Sequence, residues 1–284
     1  MPEIQTVQGD SAIAPPLNQL PVVVITRFSF LGSSGWKSAA SRDEALLFAP
    51  ERLARRLALF STITLPSLAG QTDAGFQHLV LTSDRLPPST LQALESACLQ
   101  AYGGPGRHVI LARPPSPARR PLRQYLGALH PGQTVVQVVL DDDDGLGLDF
   151  IARLRHDLEE TPEIAPDITR ELPFFLSYPK GYGLDFSQDG PRLYTHSYPY
   201  INLGLTMVNA ASGKNVLAIN HKEAPRKFGG RLIRRRRMFV RAVHGFNDSR
   251  VQPSGRWTPV EDWDADPDIR DRFPYLLPVL AARD

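Results

Sequence analysis

The segment TVVQVVLDDDDG (Thr134–Gly145) decides how the rest of the chain is interpreted. Its first part is an apolar run rich in β-branched residues, which is typical of a strand buried on both faces. Asp141, Asp142, Asp143 and Asp144 follow, and the next residues, LGLDFIARLRHDLEE, have the pattern of a helix. Adjacent carboxylates repel one another, so stability gives little reason to place four of them at the end of a buried strand. A bound divalent cation gives a reason.

The composition is that of an ordinary globular chain. Its 284 residues are 42% hydrophobic and carry a formal net charge of +2, so no overall charge marks a nucleic-acid-binding protein. The single cysteine, Cys98, excludes an intramolecular disulfide and fits a reducing compartment, so we expect a cytoplasmic protein. The N-terminus lacks the pattern of a signal peptide, and no apolar stretch approaches the ~20 residues that span a bilayer. Any membrane contact is therefore predicted to be peripheral.

Strand and helix patterns alternate four times between Pro21 and Glu160. The predicted strands are PVVVITRFSF, FQHLVLTSD, RHVILARP and TVVQVVL. This alternation predicts an α/β fold with a mainly parallel sheet flanked by helices. After Pro162, aromatic residues and turn-forming Pro and Gly residues predict an antiparallel and irregular C-terminal portion. We divide the chain into a flexible leader (residues 1–20), an α/β half (21–160) and a β-rich remainder of the same domain (161–284).

Polar residues also mark the carboxyl end of the first predicted strand, where Thr26 and Arg27 follow an apolar run. In open α/β sheets, ligands bind outside the carboxyl ends of the strands. A threonine hydroxyl can bond a pyrimidine, and an arginine can pair with phosphate, so both residues are candidates for nucleotide binding. A salt bridge at the strand end is the alternative. The Gly/Ser-rich loop FLGSSGWKSAASRDE that follows is predicted to cover a site.

Four segments together resemble the putative rhamnosyltransferase family of bacterial glycosyltransferases, which has the GT-A type of nucleotide-binding fold. They are VITRFSF, RRLALFSTITLPSLAGQTDAGFQHLVLTSD (Arg55 to Asp84), LDDDDGLGLDFIARL and His244-Gly245-Phe246-Asn247. The resemblance covers roughly Val22 to Asn247. It implies a GT-A-like fold and a manganese or magnesium ion that the aspartate motif binds and that bridges the two phosphates of a sugar nucleotide.

The alternation of side chains along an extended segment divides the four aspartates into two pairs. Asp142 and Asp144 share one face, and Asp141 and Asp143 share the other. One pair is expected to bind the metal and the other the ribose hydroxyls or a structural partner, with Asp144 favoured as the most direct metal ligand. The alternative is a solvated acidic turn that caps the following helix.

Two further residues are candidates for this site. His244 follows a probable strand, and its neutral imidazole can serve as a third metal ligand, although a structural histidine near a turn is the commoner case. His221 is a weaker candidate of the same kind. Arg56, on the first predicted helix, is expected to face the diphosphate or to lie on a solvated face.

The general base is predicted less sharply. Asp185, Asp189 and Glu223 are the acidic candidates for deprotonating an acceptor hydroxyl in an inverting displacement. The family resemblance predicts an acidic residue within INLGLTMVNAASG, and Asn209 stands there instead.

The run Arg234, Arg235, Arg236 and Arg237 is the strongest local concentration of positive charge. It is a candidate for holding the donor diphosphate, an acceptor that carries phosphates, or the anionic inner face of the plasma membrane. A solvated strand edge protected by charge is the alternative. No nucleic acid partner is expected, since no motif that reads nucleic acid accompanies the run.

These observations predict a metal-dependent glycosyltransferase that moves a sugar, rhamnose by the resemblance, from a nucleotide diphosphate to a hydroxyl of an envelope glycan or glycolipid. Two alternatives remain. One is a nucleotidyltransferase that makes sugar nucleotides, for which a Gly-rich loop with a basic residue after the first strand is typical; FSFLGSSGWK resembles such a loop only faintly. The other is a non-catalytic transferase fold that serves as a binding module at the membrane surface.

Overall fold

Two β-sheets organise the chain. The computed structural model describes residues 15–32, 43–161, 164, 172–187, 190–245 and 257–282. Their strands are β1 Val22–Phe28, β2 Phe76–Ser83, β3 His108–Arg113, β4 Thr134–Val139, β5 Gly145–Leu146, β6 Phe174–Ser177, β7 Lys180–Asp185, β8 Arg192–Ser197, β9 Thr206–Ala210, β10 Gly229–Leu232, β11 Phe239–Val243 and β12 Thr258–Pro259. Their α-helices are α1 Glu44–Leu47, α2 Pro50–Leu59, α3 Leu65–Ala69, α4 Pro88–Tyr102, α5 Arg119–Leu129, α6 Phe150–Glu159, α7 Ala224–Lys227, α8 Pro267–Arg272 and α9 Leu277–Ala281.

The larger sheet has seven strands in the order β10-β6-β9-β4-β1-β2-β3. β1 pairs in parallel with β2 and β4, and β9 pairs antiparallel with β4 and β6. The predicted fold class, an α/β domain with a mainly parallel sheet flanked by helices, is therefore confirmed. The four predicted strands correspond to β1 to β4. The sheet buries β1, β2 and β4 on both faces, whereas β3 is a half-buried strand at its edge.

Alternate side chains of β1 pack on opposite faces of the sheet. Val22 and Val24 join the core formed with α6, and Val23 and Ile25 join the core formed with α5. Each side chain leaves water on one face or the other, which explains why the strand has no polar residue before Thr26. The polar residues are thereby confined to the carboxyl end.

The smaller sheet has five strands in the order β12-β8-β7-β11-β5. β7 and β8 form an antiparallel hairpin, as expected for the C-terminal portion. Two other pairings in this portion are parallel, β6 with β10 and β7 with β11, because the long connections between these strands return the chain to the same end. β11 also pairs with β5, directly after the aspartates. The smaller sheet thus reaches the end of β4.

The first predicted helix, ERLARRLALFSTITLPSL (residues 51–68), is interrupted before Pro66. α2 ends at Leu59, residues Phe60–Thr64 form a π-helical segment, and α3 begins at Leu65. Pro66 has no N–H to donate to the preceding turn, so the usual hydrogen-bond pattern cannot continue through it. The π segment directs Thr64 inward, and its hydroxyl donates to the main-chain oxygen of Asp144 at 2.8 Å. Segments of this kind often occur beside functional sites.

The predicted leader, residues 1–20, lies outside the described residues as far as residue 14. Leu17–Gln19 form a single 3-10 turn, and Leu20 is buried in the core with α6. The predicted covering loop also lies outside the description at residues 33–42. Among the helices that the structure describes, none is both long and apolar enough to cross a membrane.

Candidate active site

The candidate site lies at the carboxyl edge of the larger sheet, where β1 and β4 are neighbours. Ile25 pairs with Val139, so Arg27 and Asp141 leave adjacent strands at the same level. Arg27 Nη2 donates to Asp141 Oδ1 at 2.8 Å. The arginine is buried, whereas 26% of the Asp141 side chain is exposed. The salt bridge considered for Arg27 is present, and it holds a partly exposed carboxylate at the edge.

Thr26 points away from this edge. Its side chain is fully buried, and its hydroxyl lies 3.0 Å from His78 Nε2. Tyr102 contacts the other ring nitrogen of His78 at 2.9 Å. The Thr26 hydroxyl is therefore part of an internal hydrogen-bond chain, and this arrangement gives no support to the predicted contact with a nucleotide.

Arg56 and Asp142 form a buried ion pair. Arg56 Nε donates to Asp142 Oδ2 at 2.8 Å, and Arg56 Nη2 donates to Asp142 Oδ1. The side chains are 2% and 0% exposed, so Arg56 lies on neither a solvated face nor an open ligand surface. Burial raises the pKa of Asp142 to about 7, and the charge of Arg56 opposes that rise. Both carboxylate oxygens of Asp142 are occupied by protein groups.

Asp144 is also held from within the protein. Its Oδ1 accepts a hydrogen bond from the main-chain N–H of Ala242 on β11 at 2.8 Å. Burial, together with the charges of Asp143 and Asp141, raises the pKa of Asp144 well above its ordinary value. The side chain that the sequence favoured as the most direct metal ligand thus ties the aspartate segment to the smaller sheet.

Asp143 and His244 meet at the centre of the site. His244 Nε2 lies 2.9 Å from Asp143 Oδ2, and both side chains are buried. Burial alone would raise the pKa of Asp143, but the hydrogen bond from His244 and the charge of Arg56 leave that pKa below its ordinary value. A carboxylate and an imidazole are both metal-binding groups. The structure thus brings the late histidine to the aspartates, at Asp143 rather than at Asp142 or Asp144.

The aspartates lie in a turn between β4 and β5 rather than in an extended segment, because Asp144 donates its N–H to the main-chain oxygen of Asp141 at 3.3 Å. The two-faced alternation expected from strand spacing therefore does not apply, and each carboxylate has a partner of its own. Asp142 and Asp144 bond Arg56 and the main chain of β11, whereas Asp141 and Asp143 bond Arg27 and His244. The described residues contain no group of three or more His, Cys, Asp or Glu side chains placed to hold a metal ion. Asp143 and His244 therefore fit a cation that a substrate also binds, since Mg²⁺ is commonly held by one or two carboxylates plus phosphates.

The acidic candidates for the general base lie in different surroundings. Asp185, at the end of β7, is fully buried; its Oδ1 accepts from the N–H of Ser187 at 3.0 Å, and its Oδ2 has no partner among the described residues. Glu223 is partly exposed and forms an ion pair with Lys227 on α7. Asp189 lies outside the described residues. Asn209 bonds the oxygen of Lys214 and pairs with Val135, which is at the far end of β4 from the aspartates.

The arginine run connects β10 to β11 and lies beside α6, away from the aspartates. Arg235 contacts Glu160 at 3.4 Å, Arg236 contacts Asp149 at 3.4 Å, and Arg237 lies 4.0 Å from Asp268. Each partner is outside the aspartate segment. The run is therefore not placed to hold a donor diphosphate at the site described above, and its surface role remains a proposal.

Three residues at or near the site were not identified from the sequence. Ser29 directly follows β1 with a φ of 44°, and its buried hydroxyl has no partner among the described residues. Arg52 is buried one turn before Arg56, and Arg241 is partly buried on β11. The i, i+4 spacing of Arg52 and Arg56 was a usable signal, because two arginines on one helix face beside an aspartate run suggest counter-charges. A left-handed serine carries no signal in sequence.

Comparison with known proteins identifies the family and adds little on the fold. A family model described as putative rhamnosyl transferase matches residues 21–256. No curated protein gives a match.

The solved structures resemble the chain only distantly. S. aureus TarS is 13% identical with a TM-score of 0.38, covering 79% of this chain and 37% of its own. S. aureus TarS 1-349 in complex with UDP-GlcNAc is 12% identical with a TM-score of 0.38, covering 83% and 62%. HddC from Yersinia pseudotuberculosis is 11% identical with a TM-score of 0.33, covering 79% and 90%. The chain thus spans less than two thirds of the TarS chains, and at these scores the similarities support no further argument.

Proposed function

The chain belongs to the putative rhamnosyl transferase family, and we propose that it transfers a sugar from a nucleoside diphosphate to a hydroxyl group of an acceptor. Membership makes the chain a glycosyltransferase, which confirms the enzyme class predicted from the sequence. The metal, the donor and the acceptor are the proposal. By the family's description, rhamnose is the first donor sugar to test.

The observation that carries the proposal is the meeting of Asp143 with His244 beside the Arg27–Asp141 pair. Both pairs lie where ligands of open α/β sheets bind. Arg27 holds the Asp141 carboxylate at the edge while part of it stays exposed. An exposed carboxylate accepts hydrogen bonds, so Asp141 suits the ribose hydroxyls of a nucleotide.

Manganese or magnesium is the proposed cofactor, with Asp143 and His244 as the protein groups that would hold it. A divalent cation, when bound, neutralises the negative charge that develops on the departing diphosphate. Asp142 and Asp144 act differently in this proposal. Through Arg56 and Ala242 they fix the aspartate segment between α2 and β11, so the two other carboxylates keep their positions.

The proposed acceptor is an envelope glycan or glycolipid at the inner face of the plasma membrane. Arg234, Arg235 and Arg236 are exposed and form a basic patch that suits anionic lipid headgroups. The contacts with Glu160 and Asp149 offset part of this charge, so the proposed contact is weak and sensitive to salt.

Calorimetry tests the donor and the metal together. UDP, GDP and dTDP are titrated into the protein with and without Mn²⁺, for wild type and for Asp143→Asn, His244→Gln and the exposed control Glu95→Gln. We expect Mn²⁺-dependent binding of at least one nucleotide, weakened about tenfold or more in the Asp143 and His244 variants and unchanged in the control. Circular dichroism checks that each variant is folded.

Two outcomes count against the proposal in different ways. Absence of binding for all three nucleotides contradicts the donor assignment. Binding that is unchanged by Mn²⁺, and unchanged in Asp143→Asn, contradicts the metal site while leaving the donor assignment in place.

A further inference from the structure

His221 lies at the same edge of the larger sheet as the aspartates. β6 and β4 are both antiparallel to β9, so their carboxyl ends, Ser177 and the start of the aspartate segment, face the same way. The chain between β8 and β9 crosses this edge, because Gly204 donates its N–H to the oxygen of Val139 at 2.8 Å. Tyr200, in this crossing, bonds both Ser177 and His221.

The contact with Tyr200 fixes the tautomer of the His221 ring. His221 Nδ1 lies 2.7 Å from the main-chain oxygen of Tyr200. A carbonyl oxygen only accepts hydrogen bonds, so Nδ1 must carry the proton. In the neutral ring, Nε2 is then the atom with the free lone pair. Nε2 has no hydrogen-bond partner within the described part of the chain, and the side chain is half-buried rather than enclosed.

The carbonyl that holds His221 is itself held in an uncommon conformation. Tyr200 has a φ of 54°, a left-handed value that is costly for an aromatic residue. Its N–H donates to Ser177 Oγ at 2.9 Å, which secures that conformation. A Cβ atom on Gly230 of β10 would lie only 2.9 Å from the Tyr200 hydroxyl, so the glycine leaves room for the tyrosine side chain. Strain of this kind is characteristic of functional sites.

The surroundings favour the neutral form of the His221 ring. Burial lowers the pKa of His221, the bond from its Nδ1 to Tyr200 opposes that shift, and the charges of Lys222 and Arg241 lower it further while that of Asp141 raises it. Asp141 and Arg241 are thus both near enough to act on the ring. A neutral imidazole beside the proposed nucleotide site is ready to accept a proton.

We propose that His221 is the general base of the transfer. The inference rests on the proposed transfer reaction. His221 Nε2 takes the proton of the acceptor hydroxyl as the acceptor oxygen forms a bond to the anomeric carbon of the donor sugar. The bond from that carbon to the diphosphate breaks, and its electron pair leaves with the nucleoside diphosphate. The imidazolium then loses its proton to water. Tyr200 is a positioning residue, because it acts through the ring that it orients.

The acidic candidates for the general base are placed less favourably than His221. Glu223, two residues away, is directed to Lys227, and the Asp185 carboxyl is wholly enclosed. His221, by contrast, combines a fixed tautomer with a free acceptor atom.

A first experiment needs no substrate. Nitrogen-15 NMR of the histidine-labelled chain reports which ring nitrogen carries the proton, and His221→Asn assigns the signal. We expect the Nδ1–H tautomer and a pKa below the ordinary value of 6.5. An Nε2–H tautomer overturns the inference whether or not the protein is a transferase.

A second experiment measures turnover. Wild type, His221→Asn, Asp185→Asn and the exposed control His156→Asn are assayed with Mn²⁺ for nucleotide release from UDP-glucose, UDP-GlcNAc, GDP-mannose and dTDP-rhamnose, with methyl glycosides as acceptors. Asparagine retains a donor near the position of Nδ1 and so keeps the contact with Tyr200, but it cannot accept the proton. We expect kcat to fall about 100-fold or more in His221→Asn, with UDP affinity within about twofold of wild type.

The pH profile separates a base from a structural residue. In wild type, kcat/KM should fall as the pH drops through the pKa of His221, because the protonated ring cannot accept a second proton. In His221→Asn this fall should disappear. Turnover of His221→Asn within about threefold of wild type, or an unchanged acid limb, overturns the inference alone. Failure of wild type to turn over any donor contradicts the proposed function and, with it, the role of His221.

Discussion

Two runs of four like charges, Asp141 to Asp144 and Arg234 to Arg237, look alike in the sequence and are packed in opposite ways. Asp142, Asp143 and Asp144 are buried, and each of the four carboxylates has a protein partner within hydrogen-bond distance. Arg235 and Arg236 are 65% and 59% exposed, and their carboxylate partners lie at 3.4 Å. The difference lies in what the rest of the chain supplies to each run.

Burial of like charges requires compensation, and here the compensation comes from distant segments. Arg27, Arg56, His244 and the N–H of Ala242 come from β1, α2 and the region of β11. The desolvation of a charge costs several kcal/mol unless such partners are present. A fold that gathers four partners around one segment fixes that segment, whereas a run left in water needs no partners. The aspartate run is thus a buried segment held by its partners, and the arginine run is a surface.

Replacement of Arg56 tests this contrast most severely. Arg56→Met keeps the side-chain volume but leaves Asp142 buried without its partner, so we expect a loss of about 3–5 kcal/mol in the free energy of unfolding. Arg235→Met, in the exposed run, should lose about 1 kcal/mol or less. Urea denaturation followed by circular dichroism measures both.

A double variant shows whether the loss comes from the unpaired charge. Arg56→Met combined with Asp142→Leu removes both charges from the interior and should recover most of the stability, because an apolar pair of similar volume often replaces a buried ion pair without loss. Equal losses for Arg56→Met and Arg235→Met would contradict the contrast between the two runs.

The dependence of stability on pH tests the burial of His78, which is neutral in the core. Burial, aided by the charge of His108, lowers the pKa of His78 from 6.5 to about 3. As the pH falls, the unfolded chain therefore protonates His78 before the folded chain does. The contribution of neutral His78 to the free energy of unfolding is complete above about pH 6.5 and is lost as the pH falls towards 3. His78→Gln keeps hydrogen-bonding groups near Thr26 and Tyr102 and should flatten this part of the stability profile.

A solvent-exposed histidine of the same chain serves as the control for His78. His156 is exposed on α6, and His156→Gln makes the same substitution outside the core. Urea denaturation at pH values between about 4 and 7 measures the slopes. Identical slopes for wild type and His78→Gln would show that His78 is not held neutral by the fold.

The sequence predicts the fold, and the gathering of polar residues at the carboxyl edge of the larger sheet, for identifiable reasons. β1, β2 and β4 are recognisable because strands buried on both faces are largely apolar, and the edge strand β3 is recognisable by its short apolar run. The polar residues that end these strands then mark the carboxyl edge. The strand period does not continue through the aspartates, because the chain turns there and Asp144 donates its N–H to the oxygen of Asp141.

The orientation of individual side chains was not readable, because distant residues decide it. Arg56, 86 residues from Asp142, occupies a carboxylate that the sequence offered as a candidate metal ligand. His78, 52 residues from Thr26, draws its hydroxyl into the core. The left-handed φ of Tyr200, which orients His221, is unusual for its residue type, so no local pattern predicts it. A structural role and a ligand-binding role for the same residue are therefore equally consistent with the sequence until its partner is known.

The smallest expected effect concerns the arginine run itself. A triple variant, Arg234→Ala, Arg235→Ala and Arg236→Ala, should change the free energy of unfolding by about 1 kcal/mol or less, because exposed ion pairs contribute little. The same variant should weaken binding to phosphatidylserine vesicles, since each basic residue near the surface adds on the order of 1 kcal/mol before the offset by Glu160 and Asp149. Vesicle co-sedimentation at low and high salt measures this binding, and salt should abolish it.

A control triple variant removes the same charge from another surface. It replaces three exposed arginines of α5 by alanine, namely Arg119, Arg120 and Arg123. If both triple variants bind vesicles alike, net charge alone governs binding and the run is an ordinary solvated surface. A selective loss in the first variant gives the arginine run a partner outside the protein, as the aspartate run has partners within it.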